Sequence, residues 1–191
     1  NSKTFKPEPV LATAWKQVTP TQLRLNLRTG VKFHDGSTFS ADDAVFSIER
    51  AMSKTSNFGI YAQGIDRVVK VDANTIDIFT KDPNPVLLNQ LTELRMMSKA
   101  WAEKNNSTSP KDIKTQDETF AHRNANGTGP FMLKEWQPDQ KIVLVKNAAW
   151  WGKSEGNVTE IVYTPVKAVA TRMAALLSGE VDLVLDPSPQ D

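Results

Sequence analysis

The chain contains no cysteine. Disulfides, thiolate nucleophiles and thiolate metal ligands are excluded together, whereas the compartment stays open, since a cysteine-free chain is compatible with export. Histidine is almost as scarce. His34 and His122 lie far apart in sequence, with no HxxxH or HxxE spacing around either, so no histidine-based metal motif is present. No charge of one sign dominates: 23 basic and 22 acidic residues leave a net charge of +1, too balanced to advertise nucleic acid or an anionic membrane surface as partner. No apolar run approaches the roughly 20 residues a spanning helix needs. Asn1 starts neither as an initiator methionine nor as a basic-then-apolar signal, and the chain reads as an excised or processed piece.

What is present, across 191 residues of which 39% are hydrophobic, suffices for one sizeable core or two small ones. Gln22 to Arg28 (QLRLNLR) alternates Leu23, Leu25 and Leu27 with polar residues, the period-two pattern of a strand with one buried face. Asp35-Gly36 then predicts a turn. Ser40-Ala41-Asp42-Asp43 reads as a helix start, with Ser40 as cap and the two aspartates against the positive end of the helix dipole. Apolar positions 41, 44, 45, 48 and 52 form one helical face. The acidic pair is thereby explained without catalysis, and His34 beside Asp35 is architecture, because adjacent side chains splay apart.

Further on, Ile65 to Thr80 predicts a β-hairpin turning at Asp72-Ala73-Asn74. Val86 to Leu94 predicts a short helix with 87, 88, 91 and 94 inward, and Ser98 to Lys104 a second one. Polar Asn105 to Asn126 reads as a surface connection with one helical turn and the boundary between lobes. FMLKEW and KIVLVKN follow as two strands joined around Pro138-Asp139. Gly127-Thr128-Gly129 lacks the spacing and following helix of a nucleotide-binding loop. Trp150 and Trp151 read as loop anchors more readily than as a stacking platform. Glu160 to Thr164 (strand), Val166 to Ser178 (helix, with 169, 173, 176 and 177 inward, capped by Gly179) and Val181 to Leu185 (apolar, central strand) together predict a parallel strand-helix-strand unit. The Pro-rich run from Asp186 reads as a crossing to another lobe.

Three segments together resemble the family 5 extracellular solute-binding proteins of ABC transporters, the group that holds dipeptide, oligopeptide and nickel binders. They are LRLNLRTGVKFHDGSTFSADDAVFSIERAM, NGTGPFMLKEWQPDQKIVLVKNAAWWG and ATRMAALLSGEVDLVLD, in the family's order and at plausible spacing. The resemblance implies an α/β fold, the truncated first lobe of a two-lobe type II periplasmic binding protein with mixed sheets and flanking helices. On that analogy residues 1–115 are an extra subdomain beside the first lobe and 116–191 part of its sheet, ending at the first hinge strand, and the second lobe and returning C-terminal segment are missing.

The function implied is the substrate-binding component of an importer: a small solute or peptide captured between two lobes and delivered to a membrane permease. It further implies export to the periplasm or cell surface, contact with the membrane only through the permease or a lipid anchor outside this chain, no nucleic acid and no cofactor. The resemblance also places Glu93, Arg95 and Met96 where family members have cleft-facing side chains. Arg95 could pair with a carboxylate and Met96 line an adaptable wall, while a surface salt bridge and a core methionine serve equally well. Arg123 and Asn126 lie in a loop dense in hydrogen-bonding groups, which is either cleft-facing or solvated. Asp186 follows an apolar strand, where α/β folds often place ligand groups, or it shapes a hinge. Two alternatives stay open: a hydrolytic enzyme, disfavoured by the missing cysteine, scarce histidine and the expected lack of a GxSxG elbow and an HExxH helix, and a self-contained protein-interaction module, for which Phe58-Gly59-Ile60-Tyr61 is the one candidate apolar face.

Overall fold

The computed structural model describes residues 4, 6–115, 117–154, 156–185 and 187. Among them, seven strands form two antiparallel sheets. The first, in the order β1-β2-β4-β3, is built from β1 (Ala12–Thr19), β2 (Gln22–Leu27), β3 (Ile65–Asp72) and β4 (Thr75–Thr80). The second, in the order β5-β6-β7, contains β5 (Phe131–Gln137), β6 (Lys141–Lys146) and β7 (Glu160–Tyr163).

Alternation in β2 does what the pattern demands. Leu23, Leu25 and Leu27 go to one face and are buried, paired across the ladder with Ile78 and Ile76 of β4. Helix α1 (Ala41–Met52) covers that face with Ala41, Ala44, Ile48 and Ala51, and Val31, Phe33 and Phe39 close the end of the layer. Phe33 and Phe39 meet edge to face, with centroids 5.9 Å apart. The start of α1 is fixed by Asp43, whose Oδ2 accepts from both the amide and the hydroxyl of Ser40 at 2.9 and 3.0 Å. Its Oδ1 accepts from the Lys99 amide at 2.9 Å, at the start of α4 (Lys99–Lys104). One buried carboxylate thus ties two helix beginnings together, which satisfies orphan amides that a helix cannot pair internally. The neighbouring Asp42 is exposed and pairs with Lys70 at 2.6 Å.

Short helices α2 (Gly59–Ala62) and α3 (Leu87–Leu91) complete this layer. Leu87 and Leu94 are buried, and Leu88, Leu91 and Met96 pack partly against the core. The polar connection holds a 3₁₀ turn at Ile113–Thr115 and helix α5 (Phe120–Arg123), in which the Thr119 amide donates to His122 Nδ1 at 2.9 Å. Helix α6 (Val169–Ser178) ends on Gly179, whose φ of +77° is the left-handed conformation that glycine adopts freely.

Three expectations fail. Strand β1 was not foreseen, because this edge strand is mostly exposed and shows no clean alternation. Val181–Leu185 is not a strand and no parallel ladder exists among the described residues. Its apolar residues have no strand to pair with, leaving Leu183 74% and Leu185 58% exposed, while β7 pairs antiparallel to β6. On α6, Leu177 is 84% exposed and Val169 is exposed too, Met173 and Leu176 are half-buried and Ala175 is the buried residue, so the periodicity marked a face that the described residues cover only in part.

Candidate functional site

The segment from Asn126 to Pro130 runs between the two sheets and is held from both sides. From the first sheet's unit comes the turn at Phe33–Ser37, where Gly36 takes a φ of +85° and so reverses the chain without steric cost. The His34 amide donates to Gly127 O at 2.8 Å. The Gly127 amide donates to His34 Nδ1 at 3.2 Å, and His34 Nε2 lies 3.1 Å from Gly129 O. Both bonds are satisfied together by one neutral tautomer, with its proton on Nε2. Next to it, the Asp35 amide donates to Asn126 Oδ1 at 3.1 Å and Asn126 Nδ2 donates to Asp35 Oδ2 at 2.9 Å. Burial works against charge on Asp35, but hydrogen bonds from Ser37 and Asn126 outweigh it and hold the carboxyl below its ordinary value of 3.8.

From the second sheet's unit, Asn147 Nδ2 donates to Gly129 O at 3.1 Å, the Asn147 amide donates to Pro130 O, and Trp151 Nε1 donates to Thr128 O at 3.0 Å. Arg28, just beyond β2, stacks over Trp151 at 4.6 Å. The tryptophan pair, 5.5 Å between centroids, therefore anchors a loop.

Beside this joint lies an open crevice of about 380 Å³ between Trp101, Phe120 and Arg123–Ala125 on one side and Leu133–Trp136 on the other. Trp101 and Phe120 are in contact at 5.6 Å, and Phe120 and Trp136 are 47% and 40% exposed. Arg123 donates through Nε and Nη2 to Glu118 and sits 5.3 Å from the Trp136 ring. The shared hydrogen bonds raise the guanidinium and lower the Glu118 carboxyl from their ordinary values. Lys134 pairs with Glu160 and Glu135 with Lys141, each at 3.1 Å. A charged ligand entering here would exchange existing ion pairs for new ones; an aromatic or planar group would meet exposed rings directly.

The residues singled out from sequence do not form one cluster. Arg123 lines the crevice, and Asn126, three residues on, is buried and spends its amide on Asp35. Glu93, Arg95 and Met96 lie on the stretch after α3. Arg95 is largely exposed, donates to Thr92 O and stands 3.9 Å from Glu93, whereas Met96 leans on the core. Asp186 lies outside the described residues. Sequence reading missed Trp101, Phe120 and Trp136, whose exposed rings carry no linear signal, and it missed that His34 and Asp35, splayed apart as expected, both reach the same distant loop.

It also counted no GxSxG elbow, although GKSEG at 152–156 has that spelling. The elbow needs a strand-to-helix turn. Its described residues, 152–154 and 156, belong to no strand or helix, and both histidines precede them, so the spelling carries no site. Among the described residues no group of three or more acidic or histidine side chains could hold a metal, and no helix is long and apolar enough to cross a membrane.

Comparison with known proteins gives this geometry a context. Residues 6–191 match the family model described as bacterial extracellular solute-binding proteins, family 5 Middle. The chain is 24% identical to the periplasmic oligopeptide-binding protein OppA of Escherichia coli K12 and 30% identical to heme-binding protein A of Haemophilus influenzae, in both cases over 96% of this chain and 36% of the relative. Among solved structures it is similar to the binding protein MoaA of A. tumefacien R10 in complex with mannopinic acid, with a TM-score of 0.78 and 29% identity over 92% of this chain and 34% of that one. The chain thus spans about a third of the length of the relatives it matches, its combination of sheets and helices is that of type II periplasmic binding proteins, and it belongs to family 5 of the bacterial extracellular solute-binding proteins.

Proposed function

We propose that this chain supplies one wall of the solute-capture cleft in the substrate-binding component of an ABC importer, taking up a peptide or other small organic solute and passing it to a membrane permease. The observation that carries the reading is the family match over residues 6–191, reinforced by the likeness to MoaA. Family 5 proteins bind and deliver solutes without transforming them. One relative is a periplasmic oligopeptide-binding protein and another a heme-binding protein; both fit a small organic or peptide ligand, and the first supports export.

On this reading residues 1–115 are the subdomain beside the first lobe and residues 116–191 belong to that lobe's sheet. Two lobes closing about a hinge capture ligand because only the shut state contacts it from both sides. Near-neutral net charge suits such a device, which needs a few local contacts and no long-range field. Of the candidate residues, Arg95 and Arg123 are the cations offered to a ligand carboxylate, Arg95 being the more loosely held. Glu93, Met96 and Asp186 complete the set, with Asn126 acting from behind.

The test is thermal unfolding of the family-length polypeptide carrying this chain, against a panel of peptides, opines, sugars and metal chelates. Binding to the native state raises the midpoint with the logarithm of ligand excess. A shift with one solute class and no turnover of it supports the reading. Turnover, or no shift across the whole panel, opposes it.

A further inference from the structure

The two sheets are joined by loops: the extensive contacts between elements all lie within one sheet's unit or the other, as between α1 and β3 or β5 and β6. The union therefore rests on few groups. Gly129 O is the clearest of them, because it receives His34 Nε2–H from one side and Asn147 Nδ2–H from the other, both at 3.1 Å. Gly127 is bonded to His34 twice, through its carbonyl and its amide.

We infer that His34, as a neutral imidazole protonated on Nε2 and supported by Asp35, is the positioning residue that locks the four-stranded unit to the three-stranded one and sets the Arg123–Ala125 wall of the crevice. A turn does not need this histidine, since Gly36 and the Ser37 contacts to Asp35 already close it. What requires an imidazole is the simultaneous presence of an acceptor for Gly127 N–H and a donor for Gly129 O, on one rigid ring. Asparagine reproduces the acceptor, its Oδ1 standing where Nδ1 stands. Glutamine reproduces the donor, its Nε2 standing where the ring Nε2 stands. Alanine reproduces neither. The wall residues Arg123 to Ala125 directly precede the pinned segment, which is held at Asn126 by Asp35 and at Gly127 and Gly129 by His34, so the two neighbours together fix where the wall begins. The bearing on solute capture rests on the proposed function; the joint itself does not.

The experiment is amide hydrogen exchange on the 191-residue chain and its His34→Ala, His34→Asn and His34→Gln variants, with ¹⁵N spectroscopy of the imidazole in the unsubstituted chain. Loss of one intramolecular hydrogen bond speeds local opening by about tenfold. We expect that acceleration at Gly127 in the alanine and glutamine variants, rescue at Gly127 by asparagine, and unchanged exchange in β2 and β4. The ¹⁵N shifts are expected to show protonated Nε2 and an unprotonated, hydrogen-bonded Nδ1. Unchanged exchange at Gly127 in the alanine variant, or equal acceleration throughout both sheets, overturns the assignment. So does the opposite tautomer, a readout that needs no variant to fold. A ligand-induced melting shift in the family-length protein with none of these local effects would leave the capture reading standing and remove this one.

Discussion

Replacing Asp43 with alanine separates architecture from surface charge in the acidic pair. Asp43 is 7% exposed and accepts three hydrogen bonds, two from Ser40 and one from the Lys99 amide. Loss of the cap at α1 costs about 1 kcal/mol, and the Lys99 amide, left without its charged acceptor, adds about 1.5–3 kcal/mol, for about 2.5–4 kcal/mol together. Asp42, adjacent but with its side chain 55% exposed, holds Lys70 in a surface ion pair, so Asp42→Ala is expected to cost within about 1 kcal/mol. In urea, at a denaturant slope of about 2 kcal/mol/M, the middle of the range for a small protein, the Asp43 variant is expected to unfold about 1–2 M earlier than the parent and the Asp42 variant within about 0.5 M of it. Equal costs for the two variants would refute the reasoning, because burial, the bonds from Ser40 and the bridge to α4 belong to Asp43 and not to Asp42.

Four further outcomes follow from the same geometry. Hydrogen bonds from Arg24, against the effect of burial and with help from Gln22, hold Asp77 below its ordinary 3.8, so its folded value lies under its unfolded one; the stabilisation is complete above that value and is lost as pH falls through it toward the folded value. The stability gap between the parent and Asp77→Asn, followed by urea titration at several pH values, is accordingly expected to narrow below about pH 4. Ile78 is fully buried, and Ile78→Ala is expected to cost about 2–5 kcal/mol in the same assay. A Cβ on Gly152 would stand 2.6 Å from the Trp150 ring, so Gly152→Ala is expected to displace the tryptophan, seen as a changed near-ultraviolet dichroism, at a cost of about 1–3 kcal/mol. The exposed edge of β7, with Val162 56% exposed, is expected to drive concentration-dependent association of the isolated chain, which Val162→Lys reduces in sedimentation.

Local chemistry was legible wherever one residue type dictates one backbone state or one face. Leu23, Leu25 and Leu27 announced β2, Asp35-Gly36 its turn, Asp42 and Asp43 the start of α1, and Gly179 the end of α6. Legibility failed where a pattern presupposes a partner. Val181–Leu185 has the composition of a central strand, and strand character resides in a ladder that the described residues do not provide. Strand β1, paired on one side and largely exposed, has no buried face to impose alternation. The site suffered most. The bonds from His34 to Gly127 and Gly129 span more than ninety residues, and no spacing rule reaches that far. Asn126 was singled out as a polar residue offered to ligand, yet its amide is committed to Asp35, a pairing that becomes visible only once two loops are brought together.

The central claim is that this chain holds one wall of a capture site whose opposite wall lies outside it. Calorimetric titration of the 191-residue chain and of the family-length polypeptide, in parallel and with the same solute drawn from the melting panel, tests this most directly. The account predicts saturable heat from the longer polypeptide and none from the 191 residues at equal concentration. Equal affinity in both would contradict it, since the chain would then hold a complete site and the two-lobed clamp would have no part in binding.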